Sequence, residues 1–265
     1  MLQQAIDFRD ESEVLHRLLE PATASDFERE TGFKRWTVND VLVHLHFWNK
    51  AADQSLADPD GFMALFSELS SNLASGSLRD FENAKIRERG RDLLQSWREF
   101  YLAMAERWKD LDPKRRVKWA GPEMSVRSSA TARQMETWAH GQEVFDLFGQ
   151  TRTEHDRIRN IVVLGVNTYE WSFKVRGMKA PQPMPFVRLI APSGMEWTFG
   201  EERSPSGTVS GSAAGFAQTV TQTRNVADTD IMPEGEAALT WMQNAQCFAG
   251  PPETPPAPGT RGISA

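Results

Sequence analysis

The stretch ATARQMETWAHGQEVFDLFG, residues 130–149, decides the fold. Its apolar residues recur at helical spacing, and Glu136 and His140 stand one turn apart, so both project from the same face. A carboxylate on an inward stripe is costly unless it is paired or metal-bound. About ninety residues earlier, WTVNDVLVHLHFW (36–48) gives a second helix. Thr37-Val38-Asn39-Asp40 has the capping-box pattern, with Thr37 as N-cap and Asp40 three residues on. His44 shares a stripe with Val41, Trp48 and Ala51 and is expected to face a core. His46 falls with Asn39, Val43, Lys50 and Asp53, a more polar stripe, and is expected at the surface or behind a ligand.

A lone histidine on an apolar face is more often a core residue, and an E-x-x-x-H pair is common on exposed helices. The conjunction is more telling. Two such helices packed side by side bring His44, Glu136 and His140 to one point, a divalent-metal site with open coordination positions. Asp40, one turn before His44, is a candidate for orienting its imidazole, although helix capping explains it better. His16 is a candidate fourth ligand, and His155, in TEHDR, is expected to be exposed. No nucleophile elbow, phosphate loop, dinucleotide fingerprint or H-E-x-x-H pair is present, and Ser212 in SGSAAG reads as a turn.

Outward from these segments, residues 3–20 read as a helix ending before Pro21. The capped helix runs to about Leu56, and Gly61 to about Ala74 gives a shorter one. Asp80 to about Leu111 reads as one long helix. The segment bearing Glu136 is expected to start at Ser129 or Thr131 and to stop at Gly149. A further helix is expected from Glu154 to Gly177. These make a bundle of four or five helices over residues 1–178. After Ala180-Pro181-Gln182-Pro183-Met184-Pro185, short strand-like runs separated by Ser-Gly turns precede AAGFAQTVTQTR and GEAALTWMQNAQCFAG, both read as helices. Residues 184–250 form a small α+β domain, and 251–265 a disordered tail. The fold class is thus α plus α+β.

A chain of 265 residues with nine Trp and fifteen Phe has ample material for a core. A net charge of -6 argues against a nucleic-acid partner, and Lys114, Arg115 and Arg116 read as a solvated loop. No apolar run approaches the roughly 20 residues of a membrane span, and MLQQAIDFRDESEVL lacks the regions of a signal peptide. The expectation is a cytoplasmic protein with no membrane partner. A single cysteine, Cys247, allows neither a disulfide nor a cysteine-based metal site, and reads as a packing residue within a helix.

The segments Trp36–Leu45 and Glu136–His140 resemble the DinB-like metal-binding bundle family, and within it the mycothiol-dependent maleylpyruvate isomerases. The resemblance implies that His44, Glu136 and His140 bind zinc, in agreement with the helical faces. Val209–Phe216 and Trp241–Pro251 are similar to the small sterol-carrier-like α+β domain that follows the bundle. The chain is most similar to an uncharacterised actinobacterial subgroup, some of whose members carry a wyosine-base-formation label. A radical enzyme of that pathway needs a cluster-binding trio of cysteines, which one Cys does not supply. The expected function is an enzyme in which zinc or another divalent metal activates a low-molecular-weight thiol such as mycothiol. That thiol would serve isomerisation or thiol transfer on a small electrophilic substrate. The alternatives are a metal-dependent hydrolase, or a non-catalytic small-molecule or lipid-binding protein with a structural metal. The sequence leaves open whether the chain forms a homodimer.

Overall fold

A computed structural model describes residues 1–73, 76–119 and 121–262. Its chain divides into two compact units, Met1–Leu147 and Phe148–Ala265. In the first, helices α1 (Gln3–Leu19), α2 (Val38–Ala57), α5 (Gly90–Trp108) and α6 (Val126–Leu147) are long, and α3 (Pro59–Asn72) and α4 (Leu78–Lys85) are short. Helix α1 packs on α5 and α6, and α2 packs on α3, α4, α5 and α6. Trp97, Trp108 and Trp138 are fully buried; truncating a side chain of that size in a core costs about 3–5 kcal/mol. A two-strand ribbon, β1 (Arg116–Val117) with β2 (Met124–Ser125), leads into α6.

Helix α2 starts where its capping box places it. The Thr37 hydroxyl accepts from the Asp40 backbone N–H at 3.0 Å, and the Asp40 carboxylate accepts from the Thr37 N–H at 2.9 Å. Two of the four N–H groups orphaned at a helix start are thereby satisfied. Other boundaries differ from expectation. The long helix expected over Asp80–Leu111 is interrupted: α4 ends at Lys85 and α5 begins at Gly90. Gly90 takes a left-handed φ of 58°, open to glycine without strain, and its N–H donates to Asn39 Oδ1 at 2.8 Å. Helix α6 starts before Ser129, after Ser125, whose Oγ accepts from the Ser128 N–H at 3.1 Å. It is buried on its polar as well as its apolar sides, so no amphipathic stripe marks where it begins. The expected end of the α3 segment, Ala74, lies outside the described residues.

The second unit takes in more of the chain than the expected boundary after residue 178 allows. The helix expected from Glu154 to Gly177 is a 3-10 turn followed by α7 (Arg159–Asn167) and α8 (Tyr169–Lys174). These pack on α9 (Ala213–Val220) and α10 (Glu236–Asn244), which draws them into this unit. A Cβ on Gly165 would lie 2.8 Å from a Val220 methyl and 2.9 Å from the Phe216 ring, so α7 approaches α9 as only glycine permits. Strands β3 (Phe186–Ile190), β4 (Glu196–Phe199), β5 (Thr208–Ser212) and β6 (Met232–Glu234) form a sheet in the order β4-β3-β5-β6. Strand β3 runs antiparallel to β4 and parallel to β5. The alternation of strand side chains buries Val187, Leu189, Trp197 and Val209. Trp241 meets the edges of Tyr169 and Phe216 at 4.9 and 5.7 Å between centroids. Ser212 caps α9, its Oγ accepting from the Gly215 N–H.

Two further expectations are corrected here. Helix α10 ends at Asn244, so buried Cys247 lies beyond it rather than within a helix. The segment expected to be a disordered tail is hydrogen-bonded over its described part. Glu253 O accepts from Gln222 Nε2, Pro256 O accepts from Asn225 Nδ2, and the Gly259 N–H donates to Asp228. Residues 263–265 lie outside the described residues. No helix among the described residues is long and apolar enough to cross a membrane. Thr37→Ala should lower the unfolding free energy of the first unit by about 1 kcal/mol in urea titration followed by tryptophan fluorescence, the cost of one lost cap.

Candidate metal centre

Helices α2 and α6 lie side by side, and His44 from one meets Glu136 and His140 from the other. One side-chain donor atom from each lies within 4.8 Å of the others. His44 Nε2 is 3.5 Å and His140 Nε2 is 3.4 Å from Glu136 Oε2. Donors held about 2.0–2.1 Å from a tetrahedral zinc stand roughly 3.3 Å apart. Two edges of the triangle therefore have the spacing such an ion needs, and the nitrogen and oxygen donors are of the type zinc takes. The residues fit a divalent ion. Both histidines are buried, while the Glu136 side chain is 22% exposed, leaving one side of the group open.

Aromatic rings hold the imidazoles. Trp36 stacks on His140, with centroids 5.5 Å apart and planes at 10°, and lies 5.2 Å from His44. Phe33 meets His140 edge-on at 5.0 Å. Both rings come from a tight loop closed by the Thr31 N–H to Trp36 O at 2.7 Å. Within it Lys34 and Arg35 take left-handed φ angles of 50° and 56°, a conformation costing roughly 1–3 kcal/mol for a residue with a Cβ. Strain of that kind is stored where geometry is being enforced. Here it places Phe33 and Trp36 on the two histidines.

Behind His44 stands Glu82 of α4, which is 1% exposed. Its Oε1 accepts from His44 Nδ1 at 2.9 Å and from Trp48 Nε1 at 2.7 Å. Asp40 is not the residue that orients His44; it takes Asn83 Nδ2 at 3.0 Å in addition to its capping bonds. Arg133, one turn before Glu136, is buried, and its Nε and Nη1 have no hydrogen-bond partner among the described residues. Its guanidinium lies over Trp119, 5.5 Å from the ring centroid, and interacts electrostatically with Glu136 and Glu82.

The electrostatics follow from this packing. Burial alone would raise the Glu136 pKa, but contacts from His140 and His44 and the charge of Arg133 hold it well below the ordinary carboxylate value. Burial alone would lower that of His44, yet the Glu82 and Glu136 carboxylates raise it to about 9. For His140, burial and the neighbouring His44 charge outweigh Glu136, and its pKa is lowered.

The remaining histidines lie elsewhere. His46 is buried rather than at the surface, edge-on to Phe100 at 5.5 Å, and burial and Lys50 lower its pKa to about 4. His16 is half-buried among Arg98, Glu13 and Glu20 and does not join the donor group. His155 is exposed. Glu82, Arg133, Phe33 and Trp36 are the site residues that sequence reasoning missed. Only Trp36 carried a signal, lying immediately before the N-cap.

A helical unit carrying a two-histidine, one-carboxylate donor group and followed by an α+β unit defines the class. Residues 8–145 match the family described as the mycothiol maleylpyruvate isomerase N-terminal domain. The chain belongs to that family. Two uncharacterised proteins of Mycobacterium tuberculosis, from strains CDC 1551 and H37Rv, are each 35% identical over 246 residues, covering 93% of this chain and 95% of theirs. Among solved structures, the mycothiol-dependent maleylpyruvate isomerase aligns with a TM-score of 0.56 at 15% identity, over 88% of this chain and 93% of that one. A histidine-to-alanine variant of it aligns with a TM-score of 0.55 at 17% identity and the same coverage. At those identities the likeness shows the fold.

With its pKa raised to about 9, His44 of the ion-free protein is protonated at neutral pH, and an ion must displace that proton. Uptake of a divalent ion at pH 7.5 should therefore release about one proton. Apparent affinity should rise with pH up to about 9 and level off above it. Calorimetry in buffers of different ionisation enthalpy measures the release; uptake with no proton released would contradict it.

Proposed function

We propose that this chain is a metal-dependent enzyme in which His44, Glu136 and His140 hold one divalent ion, zinc by its donor set. On this reading it uses a low-molecular-weight thiol such as mycothiol for isomerisation or thiol transfer on a small electrophilic substrate. The observation that carries the reading is the convergence of two imidazole nitrogens on one carboxylate oxygen at 3.4 and 3.5 Å, with that carboxylate partly open. The family and the similar solved structure are both named for mycothiol, which supports the choice of thiol.

A bound divalent ion would supply a Lewis acid that holds a thiol as thiolate at neutral pH. Cys247 is buried and is the chain's only cysteine, so the thiol has to come from outside. The chain's own residues set what that ligand meets. Trp36 and Phe33 cover the imidazoles and keep water from them. Arg133 adds a positive charge beside the carboxylates of Glu136 and Glu82. With a divalent ion and neutral imidazoles, the site carries three positive charges against two negative ones. That surplus favours an anionic ligand such as a thiolate over a neutral one. A closed shell with His16 as fourth ligand, which a purely structural metal would favour, has no support in where His16 lies.

Elemental mass spectrometry of the purified protein should find one divalent ion per chain, and mycothiol should bind the loaded form and not the chelated one. His140→Ala should lose stoichiometric metal while keeping most of its helical circular dichroism; metal retained at wild-type occupancy would refute the site. Arg133→Met separates the two charges in play. Removing a buried cation should strengthen metal binding and weaken mycothiol binding, each by about tenfold. Equal changes in one direction would contradict the charge argument.

A further inference from the structure

Helix α2 presents Asp40, His44 and Trp48 at successive turns, and α4 meets all three with two adjacent residues. Asn83 Nδ2 donates to Asp40 Oδ1 at 3.0 Å, and Glu82 Oε1 accepts from both His44 Nδ1 and Trp48 Nε1. An indole N–H can only donate, and an ionised carboxylate can only accept. Nδ1 of His44 therefore carries a hydrogen, and its other nitrogen, Nε2, is the atom that faces Glu136 Oε2. Glu82 lies within electrostatic reach of Arg133 but gives its oxygen to the imidazole and the indole.

We propose that Glu82 is a positioning residue of the metal centre, fixing the orientation of the His44 ring so that Nε2 is the donor atom. The proposal rests on the metal-centre reading above. A ligating imidazole whose second nitrogen donates to a carboxylate is a more basic ligand and is held in one ring orientation. The arrangement also explains why a carboxylate this deeply buried is tolerated, since its acceptor oxygen meets the buried His44 imidazole and the half-buried Trp48 indole. Helix α4 does not depend on Glu82 for its place. Ser77 caps it, Phe81 packs edge-on against Phe47 at 5.9 Å, Lys85 pairs with Glu68, and Asn83 ties it to Asp40.

The test compares full-length wild type, Glu82→Gln, Asn83→Ala and His140→Ala by zinc competition with a chromogenic chelator. Cobalt-loaded samples are compared by visible absorption. Glu82→Gln keeps the size of the side chain and removes its charge. It should weaken zinc binding by roughly 10–100-fold and shift the cobalt bands, with unchanged helical circular dichroism. Asn83→Ala cuts a different tie between α4 and α2 and should bind zinc as wild type does. In zinc-loaded wild type, ring nitrogen NMR of His44 should show Nδ1 protonated, a readout independent of any variant. Wild-type affinity in Glu82→Gln beside lost affinity in His140→Ala would overturn the Glu82 assignment and leave the metal centre standing. So would an Asn83→Ala loss as large as that of Glu82→Gln, or zinc bound at Nδ1. Wild type that takes up no ion would overturn both.

Discussion

A carboxylate set between two imidazoles inside a helical unit is the constraint on which the first unit depends. Glu136 projects inward from α6, and a charge there is tolerated only with compensation. His44, His140 and Arg133 supply it in the ion-free protein. That requirement is met where α2 packs against α6. It also accounts for the strained loop that delivers Phe33 and Trp36, and for a second carboxylate, Glu82, behind His44. Each layer stabilises the charge state of the one inside it. Arg133 keeps two nitrogens without a hydrogen-bond partner among the described residues and acts on the cluster through its charge.

The comparisons place these features in a family without assigning a reaction. Fold similarity at 15% identity says that two chains share an architecture, and one architecture hosts many chemistries. The chemical argument comes from the site itself: nitrogen and oxygen donors at the spacing of a tetrahedral ion, an open side at Glu136, and a positive surplus once an ion is present. Those properties are what the proposed preference for an anionic ligand rests on.

The second unit is held by a different kind of interaction. Its core is apolar, with Trp241 between Tyr169 and Phe216, and Gly165 letting α7 close on α9. Because α7 and α8 contribute to that core, the division of the chain falls after Leu147 and not at the proline-rich link. Composition changes at the prolines, but packing changes earlier.

Local physics made much of this readable from the chain. The Thr37–Asp40 capping box, the start of α1, and the placing of His44, Glu136 and His140 on inward faces all rest on contacts three or four residues apart, which periodicity records. The strands of the second unit were legible for the same reason, through alternation. Only tertiary structure decided the rest. Glu82 stands 38 residues from His44, and nothing in LRDFENAK marks one of its acids as buried. Asp40, read first as a helix cap, was also a candidate to orient His44; α4 supplies Asn83 to Asp40 and Glu82 to His44. The early start of α6 escaped because burial on all sides erases the stripe that periodicity reads, whereas α4 and α5 each bury one face and the break between them turns on the left-handed Gly90. A sequence shows which face of a helix turns inward; which partner meets it there depends on how distant segments pack, because a buried charge is satisfied in space and not along the chain.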